Sequence, residues 1–356
     1  MTTTYRNRRA AAIENGDLRV TVLEEGGHIA EIFDTHARVN PLWTPPWPSI
    51  EPSSFDGLRM SAHRQPVEGY GTGADAKLLA GIMGHNLCLD IFGGPSDDEA
   101  AAGIDPHGEA SVARYEIETA GHALTMRACL PISQILIERR IEIRDRAVHI
   151  REGIENLAGF DRPIGWTEHV TLGPPFLEKG STEFRASAGR SKVYEEDFGI
   201  ADYLRRGAEF DWPNAPRPNG TAVDLRRLTD ARASSAYTAH LMDPRREHAF
   251  FVAFSPTAKL AFGYVWRSAD FPWMGVWEEN HSRLGPPWNG RTLARGMEFG
   301  VSPFPESRRR MVERGSLFDT RTYRWLPAKG RLEVEYWALT SNAQCAPETL
   351  EWPCDR

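Results

Sequence analysis

No apolar run in this chain of 356 residues approaches the roughly 18 that a membrane-spanning helix needs. A helical integral membrane protein is therefore not expected. The opening stretch "MTTTYRNRRAAAIENGDLRV" carries arginines with no apolar segment behind them, so no secretory signal is expected there. Cysteine is scarce, and Cys88, Cys129, Cys345 and Cys354 share no C-x-x-C spacing. That argues against a disulfide frame or a zinc site and for reduced thiols in a cytoplasmic protein, in which the sequon Asn219-Gly220-Thr221 is idle. An excess of positive charge is also missing. With 42 basic against 49 acidic residues the formal net charge is −7, which gives no electrostatic reason to expect a nucleic-acid partner. Basic runs such as "ESRRRMVER" are punctuated by acids and read as a solvated face.

Two further absences bear on the fold. No stretch keeps an i, i+3, i+4, i+7 apolar stripe over several turns, so helix is minor, expected near residues 74–82 and in short connections. There is also no repeat of fixed period and no low-complexity linker. What is present is period-two alternation. "DLRVTVLEEGGHIAEIFD" reads as two strands around a Gly26-Gly27 turn, and "VARYEIETAGHALTMRACL" repeats the design around Gly121-His122. "ILIERRIEIRDRAVHIREGIENLAG" is another hairpin, with Ile135, Ile137, Ile141 and Ile143 offered to one side and Arg or Glu to the other. "HAFFVAFSPTAKLAFGYVW" and "GRLEVEYWALT" follow later. Hairpins without intervening helices predict stacked antiparallel sheets. With 41% hydrophobic residues there is ample core, and the expectation is an all-β protein: one large antiparallel β-sandwich domain over residues 1–356.

Gly and Pro gather between the strands, in "NPLWTPPWPSIEPSS", "IFGGPSDDEAAAGIDPHG", "FDWPNAPRPNG" and "RLGPPWNGR", which read as long ordered loops. Much of the tryptophan is also placed between strands: Trp43, Trp47, Trp212, Trp273, Trp277 and Trp288. An indole stacks well on the C–H face of a sugar ring, and it equally well plugs the end of a sandwich. Three stretches hold candidate chemistry. His107 precedes a glycine in "DPHGEASVARYEI"; Glu168 and His169 interrupt a strand in "PIGWTEHVTLGPPF"; Glu298 sits in "GMEFGVSPFPES". Neighbours on a strand face opposite ways, so only one of Glu168 and His169 points into any pocket.

Taken together, these stretches resemble the galactose mutarotase (aldose 1-epimerase) superfamily. "TEHVTLGPPF" is similar to that family's catalytic-His motif at His169, "MEFGVSPFP" to its catalytic-Glu motif at Glu298, and His107-Gly108 to its earlier His-Gly. The order of the motifs agrees from the "GGHIAEIFD" hairpin to the "GRLEVEYW" strand. The resemblance implies a β-sandwich that interconverts sugar anomers by acid–base ring opening, with Glu298 as base, His169 as acid and His107 holding a ring oxygen or hydroxyl. It implies a small-molecule sugar as partner, no metal and no other cofactor, no membrane, and a monomer or homodimer. "FPWMGVWEENHSRLGPPWNGR" leads into the Glu298 strand, which makes Trp277, Glu278, His281 and Trp288 candidate sugar contacts. Other readings remain open. One is a sugar-binding homologue without turnover; another is a lyase-like carbohydrate enzyme on the same sandwich. A third is a metal site drawn from His85, His107, Glu168, His169 and His281, whose spacing matches no ligand motif.

Overall fold

A computed structural model describes residues 2–55 and 67–353 of the chain. Two large antiparallel sheets carry the fold, one of twelve strands and one of eight. All five hairpin and strand readings above are present: Leu18–Leu23 with Ile29–Asp34, Glu116–Ala120 with Ala123–Leu130, Ile135–Arg144 with Ala147–Asn156, His248–Ser255 with Leu260–Arg267, and Arg331–Asn342. Among the described residues α-helix is confined to three short pieces, one of them Ala76–Gly81 in the expected place. The basic "SRRRMVER" run forms the helix Arg308–Arg314, capped by the Ser307 side chain. No helix among the described residues is long and apolar enough to cross a membrane.

The inward faces of the two sheets share one apolar core. Ile32, Trp166 and Phe299 of the larger sheet pack with Ile141, Ile150, Trp266 and Tyr336 of the smaller. Trp266 stacks on Phe299 at 4.2 Å between ring centroids. Alternation in the Ile135–Arg144 strand delivers Ile135, Ile137, Ile141 and Ile143 to this core, as their spacing requires. The same parity delivers Arg139 there too, fully enclosed among the isoleucines.

The larger sheet sets the stage for chemistry. Five of its strands lie side by side in the order His85–Asp90, Arg162–Leu172, Leu293–Gly300, Trp273–Asn280 and Ser234–Met242. They come from distant parts of the sequence, and their second face, turned away from the core, is covered by loops and short elements such as the Ala76–Gly81 helix.

Candidate active site

Register brings the three motifs together. Glu168 lies opposite Phe299 across the Arg162–Leu172 and Leu293–Gly300 pair, which sets the next residue, His169, abreast of Glu298. Their side chains rise from the same face, with His169 Nε2 3.0 Å from Glu298 Oε1. Glu168 points the other way, into the core, as strand alternation demands. Met297 and Phe299, which flank Glu298 in sequence, also belong to the core side. The carboxylate is thus not wrapped by its sequence neighbours. It stands over a floor of glycines: a Cβ at Gly296 would lie 2.2 Å from Glu298 Oε1, and one at Gly275, the residue paired with Glu298, would lie 1.9 Å from the Tyr237 hydroxyl. That hydroxyl hydrogen-bonds Glu298.

His107 arrives on the loop before the short Glu109–Ser111 turn. The glycine after it is obligatory. Gly108 has φ +77°, and a Cβ there would lie 2.1 Å from the Leu89 carbonyl oxygen. The His107 ring sits 4.7 Å from the His169 ring, centroid to centroid. Asn86, opposite His169 in register, ties the two together: its Nδ2 is 3.3 Å from His169 Nδ1 and its Oδ1 is 3.3 Å from His107 Nδ1. Thr171 Oγ1 meets His169 Nδ1 at 3.2 Å. With Nδ1 held from two sides, Nε2 is the nitrogen left for chemistry.

Above this floor is a cavity of about 630 Å³ lined by His107, His169, Glu298, Tyr237, Phe92 and three tryptophans, Trp43, Trp277 and Trp288. Trp47 braces them from behind, its ring 5.5 Å from Trp43 and 5.0 Å from Trp288. The volume suits a monosaccharide with room to turn. The Trp277 indole N–H is buried with no hydrogen-bond partner among the described residues, a donor left for a ligand. Burial sets the electrostatics. It raises the Glu298 carboxyl well above the ordinary carboxylate range and lowers His169 to about 3, so the floor resists charge on either group. Burial, with His169 and Arg283 nearby, also holds His107 well below its ordinary value.

The architecture has counterparts among solved structures. A galactose mutarotase-like protein from Clostridium acetobutylicum matches with a TM-score of 0.60 and 12% identity, over 96% of this chain and 98% of that one. The galactose mutarotase related enzyme from Lactobacillus acidophilus matches with a TM-score of 0.58 and 11% identity, over 94% and 98%. The fold is galactose mutarotase-like. A TPR-domain containing protein from Parabacteroides distasonis also matches, with a TM-score of 0.60 and 11% identity, over 98% of this chain; the chain spans about half the length of that protein. No family model and no curated protein matches the sequence.

In this mutarotase-like sandwich the remaining candidates fall on both sides of the sheet. Trp277 and Trp288 line the cavity. Glu278, one residue beyond Trp277, faces away, where it accepts hydrogen bonds from Ser234 Oγ at 2.5 Å and the Tyr203 hydroxyl at 3.2 Å. It does not reach the cavity. Neither does His281, whose Nδ1 is 3.0 Å from the Gly290 carbonyl oxygen and so closes the loop that carries Trp288. The metal set is divided in the same way: His85 and Glu168 meet inside the core at 2.8 Å, while His107 and His169 stand in the cavity. Sequence reasoning missed Asn86, Tyr237, Thr171 and Arg283. Thr171 lies on the strand already read around His169, two residues on and so at the same parity, which was the available signal; the strands that carry Asn86 and Tyr237 were not read from the sequence.

One wall of the cavity depends on a single glycine. Gly93 N–H donates to the Glu306 carbonyl oxygen, the Gly93 carbonyl accepts from the His107 N–H at 3.0 Å, and a Cβ on Gly93 would lie 2.0 Å from the Pro305 carbonyl oxygen. Backbone cannot retreat as a side chain does. Gly93→Ala is expected to cost about 1–3 kcal/mol by overpacking and to displace His107, seen as a lower melting temperature with weakened ligand binding.

Proposed function

We propose that the protein is an aldose 1-epimerase-type isomerase that opens and recloses the hemiacetal ring of a sugar. The observation that carries this reading is the His169–Glu298 pair, 3.0 Å apart at the base of a tryptophan-walled cavity. Ring opening needs one proton taken from the anomeric hydroxyl and one delivered to the ring oxygen, both oxygens being bonded to the same carbon. A carboxyl and an imidazole standing side by side and holding one proton between them match that demand. Asn86 Nδ2 donates to His169 Nδ1, so the neutral imidazole carries its proton on Nε2, and the opening step gives His169 the donor role at the ring oxygen and the Glu298 carboxylate the acceptor role at the anomeric hydroxyl. This is the assignment that the family resemblance implies. After rotation about C1–C2 each group returns what it took, so the roles exchange on closure and the enzyme ends unchanged. Tyr237 steadies Glu298, Asn86 and Thr171 orient His169, His107 offers a ring nitrogen to a sugar hydroxyl, and Trp277 and Trp288 supply flat apolar contact.

Exchange-transfer NMR on purified protein with a panel of free aldoses tests the reading. Catalysed anomer exchange of at least one sugar is expected; binding without exchange would leave a sugar-binding protein in its place. The pH profile adds a second check. Activity requires an ionised Glu298 beside a neutral His169, so kcat/KM is expected to fall as pH drops and Glu298 takes a proton, a decline that begins above the usual carboxylate range because burial raises that carboxyl. His169, lowered to about 3, stays neutral through that decline.

A further inference from the structure

Arg283 has no part in the proton transfers, yet it stands in the cavity wall with the acid–base pair. Its guanidinium carbon lies 4.7 Å from the ring centroid of Trp288 and 5.5 Å from that of Trp277, so the two indoles that offer a sugar its stacking surface also hold the cation. Only the inner nitrogen is engaged. Nε is 3.4 Å from Glu279 Oε2, and Glu279 is itself occupied by the Ser282 N–H, the Ser282 hydroxyl and the Arg283 N–H. Among the described residues neither terminal nitrogen makes a hydrogen bond. Burial depresses this guanidinium despite the help of Glu279 and Asp75, so the charge is under-compensated where it stands. A planar fork set against two indoles, charged and with its outer donors open, is the geometry that grips a carboxylate through two parallel hydrogen bonds.

The rest of the lining selects among anions. Asp75, Asp97, Glu196 and Asp197 also border the cavity. Glu196 is paired with Arg310 at 2.6 Å and Asp197 with Arg206, while Asp75 and Asp97 have no ion-pair partner among the described residues. A dianionic phosphate facing this border meets repulsion that a single carboxylate, seated in one guanidinium fork, largely escapes.

We propose that the sugar taken by this cavity is a hexuronate, its carboxylate held by Arg283. The inference rests on the isomerase reading, and the experiment is arranged to separate the two. Anomer exchange is measured by NMR for D-galacturonate and D-glucuronate, for the parent hexoses D-galactose and D-glucose, and for D-glucose 6-phosphate. The proteins are wild type, Arg283→Met and Arg283→Lys, with calorimetric titration of each sugar alongside. Wild type is expected to favour the better hexuronate over its parent hexose by tenfold or more in kcat/KM. Arg283→Met is expected to lower the hexuronate figure by about 10–100-fold, the range for losing hydrogen bonds to a charged group. It should lower the parent hexose by less than tenfold, through the disturbed indole stack. Arg283→Lys, which keeps the charge and loses the fork, should fall between and guards against a misfolded Met variant. Equal use of hexuronate and hexose by wild type, an equal loss of both on substitution, or a preference for the phosphorylated sugar would each overturn the proposal. Hexuronate binding that depends on Arg283 but brings no exchange of any sugar would uphold it while removing the isomerase reading. Brisk exchange of neutral hexoses with no hexuronate preference would do the reverse.

Discussion

Replacing Glu298 by glutamine is expected to slow anomer exchange by about 10²–10⁴-fold, the range that a positioned proton donor or acceptor contributes. Glutamine keeps the shape and the hydrogen bond to Tyr237 but has no proton to give and no basic oxygen to receive one. His169→Asn is expected to show a loss of similar size. The double variant should lose less than the product of the two, because the groups share a single proton and act as a unit. Exchange-transfer NMR reads all three. A folded Glu298→Gln protein that matches the wild-type rate on its best sugar would reduce Glu298 to a structural carboxyl.

The same substitution carries a stability signature that a damaged fold does not imitate. Burial raises the Glu298 carboxyl above its unfolded value of 4.5, so between those two values the folded state binds the extra proton. Stability is therefore drawn down as pH rises through that window, and the full deficit is present above it. Glutamine is neutral at every pH and carries no such term. Glu298→Gln should melt with wild type below pH 4.5 and above it at neutral and alkaline pH. Loss of activity joined to a gain in stability is the pattern expected of a functional group held against its own preference.

The strands were legible because a half-buried strand writes its faces into alternate residues, and the hairpins around Gly26-Gly27 and Gly121-His122 needed nothing more. The hairpin of Thr2–Tyr5 with Arg8–Glu14 was not legible, since its Ala- and Arg-rich second strand carries a single β-branched residue, Ile13. The paired strands Asn214–Pro216 and Ala222–Asp224 were hidden by proline and asparagine within a stretch read as loop. Within the site, parity decided success. It separated Glu168 from His169 correctly, and applied to Trp277 and Glu278 it excludes the pair as joint sugar contacts, since adjacent strand residues cannot both face the cavity. Arg283 and His281 lie beyond the strand end, where direction follows from how the loop closes, and no spacing rule reaches them. Asn86 and Tyr237 depend on which strands become neighbours in a twelve-stranded sheet, which local pattern does not specify.

The largest loss of stability is expected from Arg139, the residue that interrupts the isoleucine series of its strand. Arg139 Nε donates to Glu152 Oε1 at 2.5 Å, its Nη2 to Glu168 Oε2 at 3.1 Å, and its Nη1 to the Gly27 carbonyl oxygen at 3.1 Å. The Tyr336 hydroxyl reaches both carboxylates, at 2.6 and 2.8 Å, and His85 Nε2 lies 2.8 Å from Glu168 Oε2. This cluster sits on the reverse of the strands that hold His169 and Asn86, and it ties them to the opposite sheet. It contains two carboxylates to one guanidinium, and burial already pushes Glu152 up to about 7. Removing the cation strands both acids in the core. Arg139→Met is expected to cost about 3–5 kcal/mol, the range for breaking a buried pair from one side, read by urea or thermal unfolding. The sign with pH follows from the acids left behind. With its folded value raised further above 4.5, Glu152 holds a proton that the unfolded chain has released, so the deficit grows as pH rises and shrinks toward pH 4.5. Adding Glu168→Gln to Arg139→Met should recover part of the loss, because one of the stranded charges is gone. If Arg139→Met instead unfolds within about 1 kcal/mol of wild type at neutral pH, the cluster is not the tie between the sheets.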